Sequence, residues 1–412
     1  MRTLTALLAL VLLAPAALAD WNGTTETIDG RTIIKNPETP AQGSQVLEMN
    51  ELWRRGGEYD EVFFGTIAEF MHDDAGNIYL LDGQLCEVQI FDPDGEWMGT
   101  IGRQGQGPGE FQNAADMFWT PGGEIGVVQA WPGKVVMLTK DGNPGTTFDL
   151  PYRDGGGFQS VTRGDLQGDQ VVLSGTAWAT EDGQQYQYAY LKSYTIDGTE
   201  IAGYQEIKSE AGFGNFEFIE ENWVDFQRRW DVAPDGRVAA ALSFEDYRIH
   251  VWNADGSLDR IIERPDYQAV KRTTDEKEMF QTMYDAFTSW NRGSTFKVSD
   301  YHNTIEQMFF REDGSLWVQS SAHRWRSAAD AFTSFDVYDT EGRFLRTVTL
   351  KADADPVKDG LFFAGDRAYV VTDALDAMMA RIGSGEEADA DIEAEPVTVI
   401  SFEFPLQLAG TR

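Results

Sequence analysis

A short unit recurs along this chain, and the recurrence limits the fold more than any other feature. Each copy begins at a turn rich in acidic residues, proline or glycine. A β-rich run follows, then a loop, a second run, a further glycine turn and a third run. In "DDAGNIYLLDGQLCEVQIFDPDGEWMGTIG" (73–102) the turn glycines are Gly76 and Gly95. In "TPGGEIGVVQAWPGKVVMLTKDGNPGTTFDL" (120–150) they are Gly123 and Gly142; each pair is 19 residues apart and the copies are offset by 47. Further copies carry Gly168 and Gly198 (167–204), Gly236 and Gly256 (233–262), and Gly314 and Gly342 (311–350). A sixth, incomplete copy is "GDRAYVVTDAL" with "PVTVISFEF" after an acidic loop.

The runs read as half-buried strands, since Ile78 and Leu80, then Val88 and Ile90, alternate with other residues. Asp-Gly between such runs is a hairpin signal, because the turn needs positive φ and glycine supplies it without steric cost. Each copy is then a meander of about four antiparallel strands, A (inner) to D (outer), and several such sheets around an axis make a β-propeller. Phe64 precedes Phe111 by the same 47 residues, so the stretch around 45–55 reads as an outer strand with no blade of its own. The sixth copy lacks an outer strand. The expectation is an all-β, six-bladed β-propeller whose N-terminal strand closes the last blade.

"IGRQGQGPGEF" (101–111) leaves the outer strand of the first blade and must return to the axis for the second. Gly105, Gly107 and Gly109 are expected to adopt angles other residues resist, Pro108 to stiffen the route, and Phe111 to plug the gap between blades. A phosphate-binding loop is excluded in detail: a dinucleotide fingerprint needs glycine where Glu110 stands, and no Gly-Lys-Ser/Thr is present.

This loop, followed by "DMFWTPGGEIGVVQAWPGKVVML", resembles an NHL repeat, and residues 45–405 resemble the secreted bacterial six-bladed β-propellers related to that group. The resemblance implies the architecture and a binding role. It carries no catalytic residue with it.

Arg2, an apolar run from Leu4 to Ala14, and Ala17-Leu18-Ala19 form a secretory signal, too short to span a bilayer, with cleavage expected after Ala19. Asp20, not a cysteine, stands directly after that point, which argues against a lipid anchor, and the mature protein is expected in the periplasm or secreted. The domain plan is a signal peptide (1–19), an N-terminal extension (20–44), the propeller (45–405) with a helical insertion at about 263–305, and a C-terminal tail (406–412). Cys86 is the sole cysteine, so no internal disulfide forms. The formal charge of −35 excludes nucleic acid, which needs a positive footprint. No stretch after the signal is apolar enough to cross a membrane.

Two insertions fall between a D strand and the next A strand, at 205–229 and 263–305. The second holds an amphipathic helix, "TTDEKEMFQTMYDAFTSWNRG". Thr273 and Glu276 have capping-box spacing, with Met279, Met283 and Phe287 on one face and Phe280, Tyr284 and Trp290 beside them. It either packs flat on the rim or walls the channel mouth.

The D-to-A crossovers and B-to-C loops share one face, where function is expected. There the candidate ligand contacts are Trp131, Trp178, Arg229, Trp230, His302, His323, Arg324 and Trp325, with "AHRWRSAADAF" the densest cluster. Aromatics with a few polar groups suit a sugar, peptide or aromatic ligand; space-filling between blades is the plainer use of the tryptophans. The favoured reading is a binding protein for a small ligand or an envelope protein partner, with no cofactor required. The alternative is a calcium-dependent lactonase- or phosphotriesterase-like hydrolase, with Asp82, Asn113, Glu245, Asp246, Asn303 and Asp373 as channel ligands. "FDPDGE", "NADGS" and the acidic stretch 386–395 lack the full calcium-loop pattern, the histidines have no zinc spacing, and no nucleophile elbow occurs.

Overall fold

A computed structural model describes residues 21–150, 158–212, 214, 216–222, 226, 228–288, 293–383 and 395–404. The signal segment, the C-terminal tail, Trp290 and nearly all of the acidic stretch lie outside them.

Six antiparallel sheets stand around one axis. The first blade runs Ile67–His72, Ile78–Asp82, Glu87–Phe91 and Trp97–Ile101, and the second Ala114–Trp119, Ile125–Gln129, Lys134–Leu138 and Pro144–Asp149. Blades three, four and five are built from 159–210, 230–263 and 305–351. The sixth takes Gly360–Ala364, Arg367–Val371 and Thr398–Glu403 from the C-terminal part, and its outer strand from the other end of the chain.

Four N-terminal strands make the ring's outer seams: β1 (Thr24–Ile28), β2 (Arg31–Lys35), β3 (Ser44–Glu48) and β4 (Glu51–Gly56). β4 pairs antiparallel with Thr398–Glu403 and completes blade six, as the repeat count requires. The closing strand is thus 51–56. The residues before it add further strands: β3, inside the stretch expected to close the ring, lies parallel to the outer strand of blade five, and in the extension β2 lies parallel to that of blade four, with β1 folded back on β2.

The hydrophobic core is divided among the gaps between successive blades. Between blades one and two, for example, Val88, Phe111, Met117, Val127 and Leu138 meet. This corrects the expected alternation. Ile78–Asp82 is buried on both faces, because each blade is covered by its two neighbours, and only the rim strand Trp97–Ile101 has an open face.

The glycine-rich crossover also differs from expectation. Gly102 and Gly109 have positive φ, but Gly105 and Gly107 do not. Those two are needed for close approach: a Cβ on Gly105 would lie 2.0 Å from a carboxylate oxygen of Glu110. Glu110 accepts from the Gly107 amide at 2.9 Å and from Arg103 Nε at 2.7 Å, so the loop cradles its own carboxylate where a phosphate would have to sit. Phe111 is fully buried, as the plug it was expected to be.

Three helices stand among the described residues: α1 (Thr274–Thr288), α2 (Ser321–Trp325) and α3 (Ala374–Gly383). The capping box of α1 is formed, with Thr273 N donating to Glu276 Oε2 at 2.8 Å and Glu276 N to Thr273 Oγ1 at 3.2 Å. The two insertions join each other, since Glu217–Ile219 pairs in parallel with Thr295–Lys297. The first insertion is shorter than expected, because 205–210 continues the outer strand of blade three. No helix among the described residues is long and apolar enough to cross a membrane.

Candidate functional site: the central channel

The innermost strands surround a cavity of 1190 Å³ along the ring axis. Residues of the crossover face (Gly65, Asn113, Ala130) line one end and residues of the tight-turn face (Asp73, Asp74, Glu312) the other. Glu69, Asp116 and Arg163 occupy equivalent places on the first three innermost strands, 47 residues apart each time. Each strand is irregular there, through register shifts at Ile67/Glu69, opposite Val128/Gln129 and at Val161/Arg163. Such bulges re-aim side chains, and all three residues line the cavity.

Arg163 ties blades two, three and four together at mid-channel. Its Nη2 donates to Asp231 Oδ1 at 2.9 Å, its Nε stands 3.7 Å from Asp116 Oδ2, and its Nη1 donates to the Trp230 carbonyl. The carboxylates also take backbone donors: Asp116 from Gly164 N (3.0 Å) and Met117 N (2.8 Å), Asp231 from Phe310 N (2.6 Å), and Glu69 from Phe70 N (2.8 Å). Burial pushes the carboxyls of Glu69, Asp116 and Asp231 up from their ordinary values, with the arginines pulling against it. Asp165, half-buried and close to Asp231, is pushed up to about 7 by desolvation and by that neighbour's charge. Burial also works against the charge on Arg163, but Asp231, Asp116 and Glu69 outweigh it and hold the guanidinium above its usual range.

Toward the crossover face the wall comes from α2 and α3. Arg324 of α2 reaches the cavity; its Nη1 is 3.7 Å from Glu306 Oε2, its Nη2 donates to Val357 O at 3.4 Å, and its Nε is buried without a hydrogen-bond partner among the described residues. Arg228 donates to Leu361 O at 3.0 Å and lies over the Phe362 ring. α3 contributes Leu375, Ala377, Met378 and Arg381, and a Cβ on Gly83 would stand 3.4 Å from Arg381 Nη1. Of the two places open to α1, the channel wall is not the one it takes: its described residues do not line the cavity, and α3, against which α1 packs, does.

The sequence candidates separate into groups. Arg324 alone of the eight proposed ligand contacts lines the cavity. Trp325 is its neighbour on α2, stacked on His302 at 4.1 Å and bonded through Nε1 to Glu306 at 3.0 Å. His302 is buried and bonds to Glu276 at 3.0 Å, joining α1 to blade five. His323 meets buried Asp336 at 2.9 Å, inside blade five. Arg229 is buried, and Trp230 fills the gap between blades three and four, with its Nε1 on Ser174. Trp178 is also buried: the strands of blade three run long, so it sits inside Gln170–Glu181, not in an open loop, and packs on Phe158. Trp131 is exposed beside the mouth, edge-on to Phe158. The "AHRWR" segment is the short helix α2, not a loop.

The six proposed metal ligands do not converge, and no cluster of three or more His, Cys, Asp or Glu among the described residues could hold a metal ion. Asp82 is buried and accepts from the amides of Gly65, Gln84 and Leu85. Asn113 has positive φ and bonds to the Trp131 carbonyl. Glu245 and Asp246 are exposed. The buried Oδ1 of Asn303 has no hydrogen-bond partner among the described residues, and Asp373 has positive φ at the start of α3. The channel residues Glu69, Asp116, Arg163, Asp165, Arg228 and Asp231 were missed. The interval that aligned Phe64 with Phe111 also aligns the first three of them.

The family model DUF5128, a 6-bladed beta-propeller, matches residues 59–152. No curated protein matches the chain in sequence. Among solved structures it is similar to a member of the DUF4221 family from Bacteroides vulgatus (10% identity, 86% of this chain and 97% of that one, TM-score 0.47). It is similar also to a gluconolactonase from Xanthomonas campestris (9%, 86% and 89%, TM-score 0.43). A third is the calcium-binding protein regucalcin from Agrobacterium tumefaciens (11%, 89% and 100%, TM-score 0.41). By its own strand pairing and the family match, the chain is a six-bladed β-propeller.

Proposed function

We propose that this propeller binds a small organic ligand in its central channel, entering from the crossover face, and that it does so outside the cytoplasm. One observation carries the reading: a cavity of 1190 Å³ whose mouth combines an apolar wall from α3 and blade six with guanidinium groups from blades four and five. Ligand sites are concave, mostly apolar and supplied with a few placed polar groups. The strands make the walls rigid, and the helices that shape the mouth lie in the loops where propellers vary. The reading needs no metal. The export signal read at residues 1–19 supports the location.

Ala115 lines the cavity on the innermost strand of blade two and belongs to none of the interblade clusters, so Ala115→Trp plugs the channel with little cost to the core. Equilibrium dialysis against a mixture of sugars, short peptides and aromatic acids, read by mass spectrometry, is the test. The wild type should retain one class of compound and the plugged variant should lose it. Equal retention by both proteins would place binding elsewhere and end the channel reading.

A further inference from the structure

Arg228 and Arg324 enter the same cavity from different blades. A guanidinium carries five N–H donors. Arg228 uses one on a described partner, Leu361 O, and its face lies 4.2 Å from the Phe362 ring centroid. Arg324 has one described hydrogen bond, a long one to Val357 O at 3.4 Å, and its Nε is buried without a partner among the described residues. Glu306, 3.7 Å from Arg324, is shared with the Trp325 indole. The two arginines also act on each other: burial lowers the Arg228 pKa, Glu69 is the strongest charge opposing that, and Arg163 and then Arg324 lower it further. These two like charges share one enclosed space, and beside the nearby Glu306 and Glu69 each keeps spare donors for a further anion.

The carboxylates of the channel do not supply it. Asp116 and Asp231 close on Arg163 instead. Glu69, which accepts from Phe70 N, and Asp165 are pushed up by burial, and neither hydrogen-bonds to Arg228 or Arg324. Phe362 lies against Arg228, and Phe332, Leu361, Met378 and Val397 add apolar lining to the same cavity.

Resting on the channel-mouth reading, we infer that the ligand is a small amphipathic anion, with its carboxylate or phosphate held between Arg228 and Arg324 and its apolar body against blade six and α3. Guanidinium forks match both anions in shape and charge. The strongly negative chain adds no long-range attraction for such a ligand, so recognition is confined to these short contacts.

The test is calorimetric titration of wild type, Arg324→Gln, Arg324→Lys and Ala115→Trp with hexanoate, hexyl phosphate and the neutral hexanamide. In the wild type at least one anion should bind about tenfold or more tightly than the amide. Arg324→Gln should lose that margin and Arg324→Lys should recover part of it. Whichever anion binds more tightly names the headgroup. If hexanamide binds as tightly as the anions and Ala115→Trp removes all three, the channel stands and the anion inference falls. Anion binding untouched by both Arg324→Gln and Ala115→Trp overturns inference and channel reading together. No anion binding at millimolar concentration overturns the inference alone.

Discussion

Arg272 grips Glu220 with both terminal nitrogens, at 2.6 and 2.8 Å, across 52 residues of sequence, and neither side chain is more than 4% exposed. The pair belongs to different insertions. Glu220 also accepts from Ser299 N at 2.8 Å and Tyr284 Oη at 3.1 Å, and Arg272 stacks on Phe280 at 3.8 Å. The two insertions are therefore one module, fastened by this buried ion pair beside the pairing of Glu217–Ile219 with Thr295–Lys297. Removing one partner of such a pair leaves a buried charge and costs about 3–5 kcal/mol, whereas replacing both by apolar groups costs much less. Glu220→Ala should speed amide hydrogen exchange in 274–288 and 295–297 while the blades keep their protection. The double change Glu220→Leu, Arg272→Met should restore most of the loss. Unchanged exchange in α1 of Glu220→Ala would mean the module is held by its aromatic contacts alone.

Asp165 gives a second expectation, with a sign fixed by its raised pKa. Burial, with Asp231 beside it, pushes this carboxyl to about 7, whereas an unfolded aspartate titrates near 4. A raised folded-state pKa means the penalty is absent below about pH 4, grows as pH rises, and is fully felt above about 7. Asp165→Asn should therefore stabilise the protein at pH 8, by about 1–3 kcal/mol for a half-buried carboxyl, and leave it unchanged at pH 4. Chemical denaturation at the two pH values measures this; an equal effect at both would show that the carboxyl is unperturbed.

How far the sequence could be read depended on whether the signal was local. The turn glycines, the capping box of Thr273 and Glu276, and the missing outer strand of the sixth copy are each visible within a few residues, and each has its counterpart in the fold. Channel residues carry no such local mark, since Glu69, Arg163 and Arg228 meet only because three strands converge on an axis. Helix α3 was also missed. "ALDAMMARIG" has helical spacing of Leu375 and Met378, but it stands where a blade was expected to supply a loop. Trp178 misled for the opposite reason: a repeat of constant length places it in a loop, and the lengthened strands of blade three bury it.

The histidines set the acid limit. Burial pulls the pKa of His72, His250 and His302 to about 4, and His302, whose Nδ1 accepts from Arg272 Nε, is left to donate its Nε2–H to Glu276. An unfolded histidine titrates near 6.5. The folded state thus binds fewer protons across that interval, and the stabilisation present above about pH 6.5 is lost progressively as pH falls toward 4. His302→Gln, which can still donate to Glu276, should flatten the slope of stability against pH in this window by close to one proton. The same slope in variant and wild type would assign the acid sensitivity to the other two rings.

Trp53 bears on the closure of the ring. It lies on β4, the strand that the N-terminal segment lends to blade six, and its ring packs on Phe91 of blade one at 6.2 Å and Tyr369 of blade six at 6.0 Å. A Cβ on Gly95, a positive-φ turn residue of blade one, would stand 2.6 Å from the same ring, so the turn has shed its side chain to let the tryptophan in. The covalent chain does not join the three C-terminal strands of blade six to β4 at this point; packing and the β4 ladder do. Truncating a large buried aromatic costs about 3–5 kcal/mol, and here the loss should fall on the seam. Trp53→Ala should lower the unfolding midpoint and raise amide exchange in 51–56 and 398–403 before any other blade responds. Leu52, the next residue on the same strand, is 47% exposed, and Leu52→Ala should stay within about 0.5 kcal/mol of wild type. If the two variants unfold alike, the ring is not closed through this strand, and the parallel strands β2 and β3 on blades four and five must carry the seam instead.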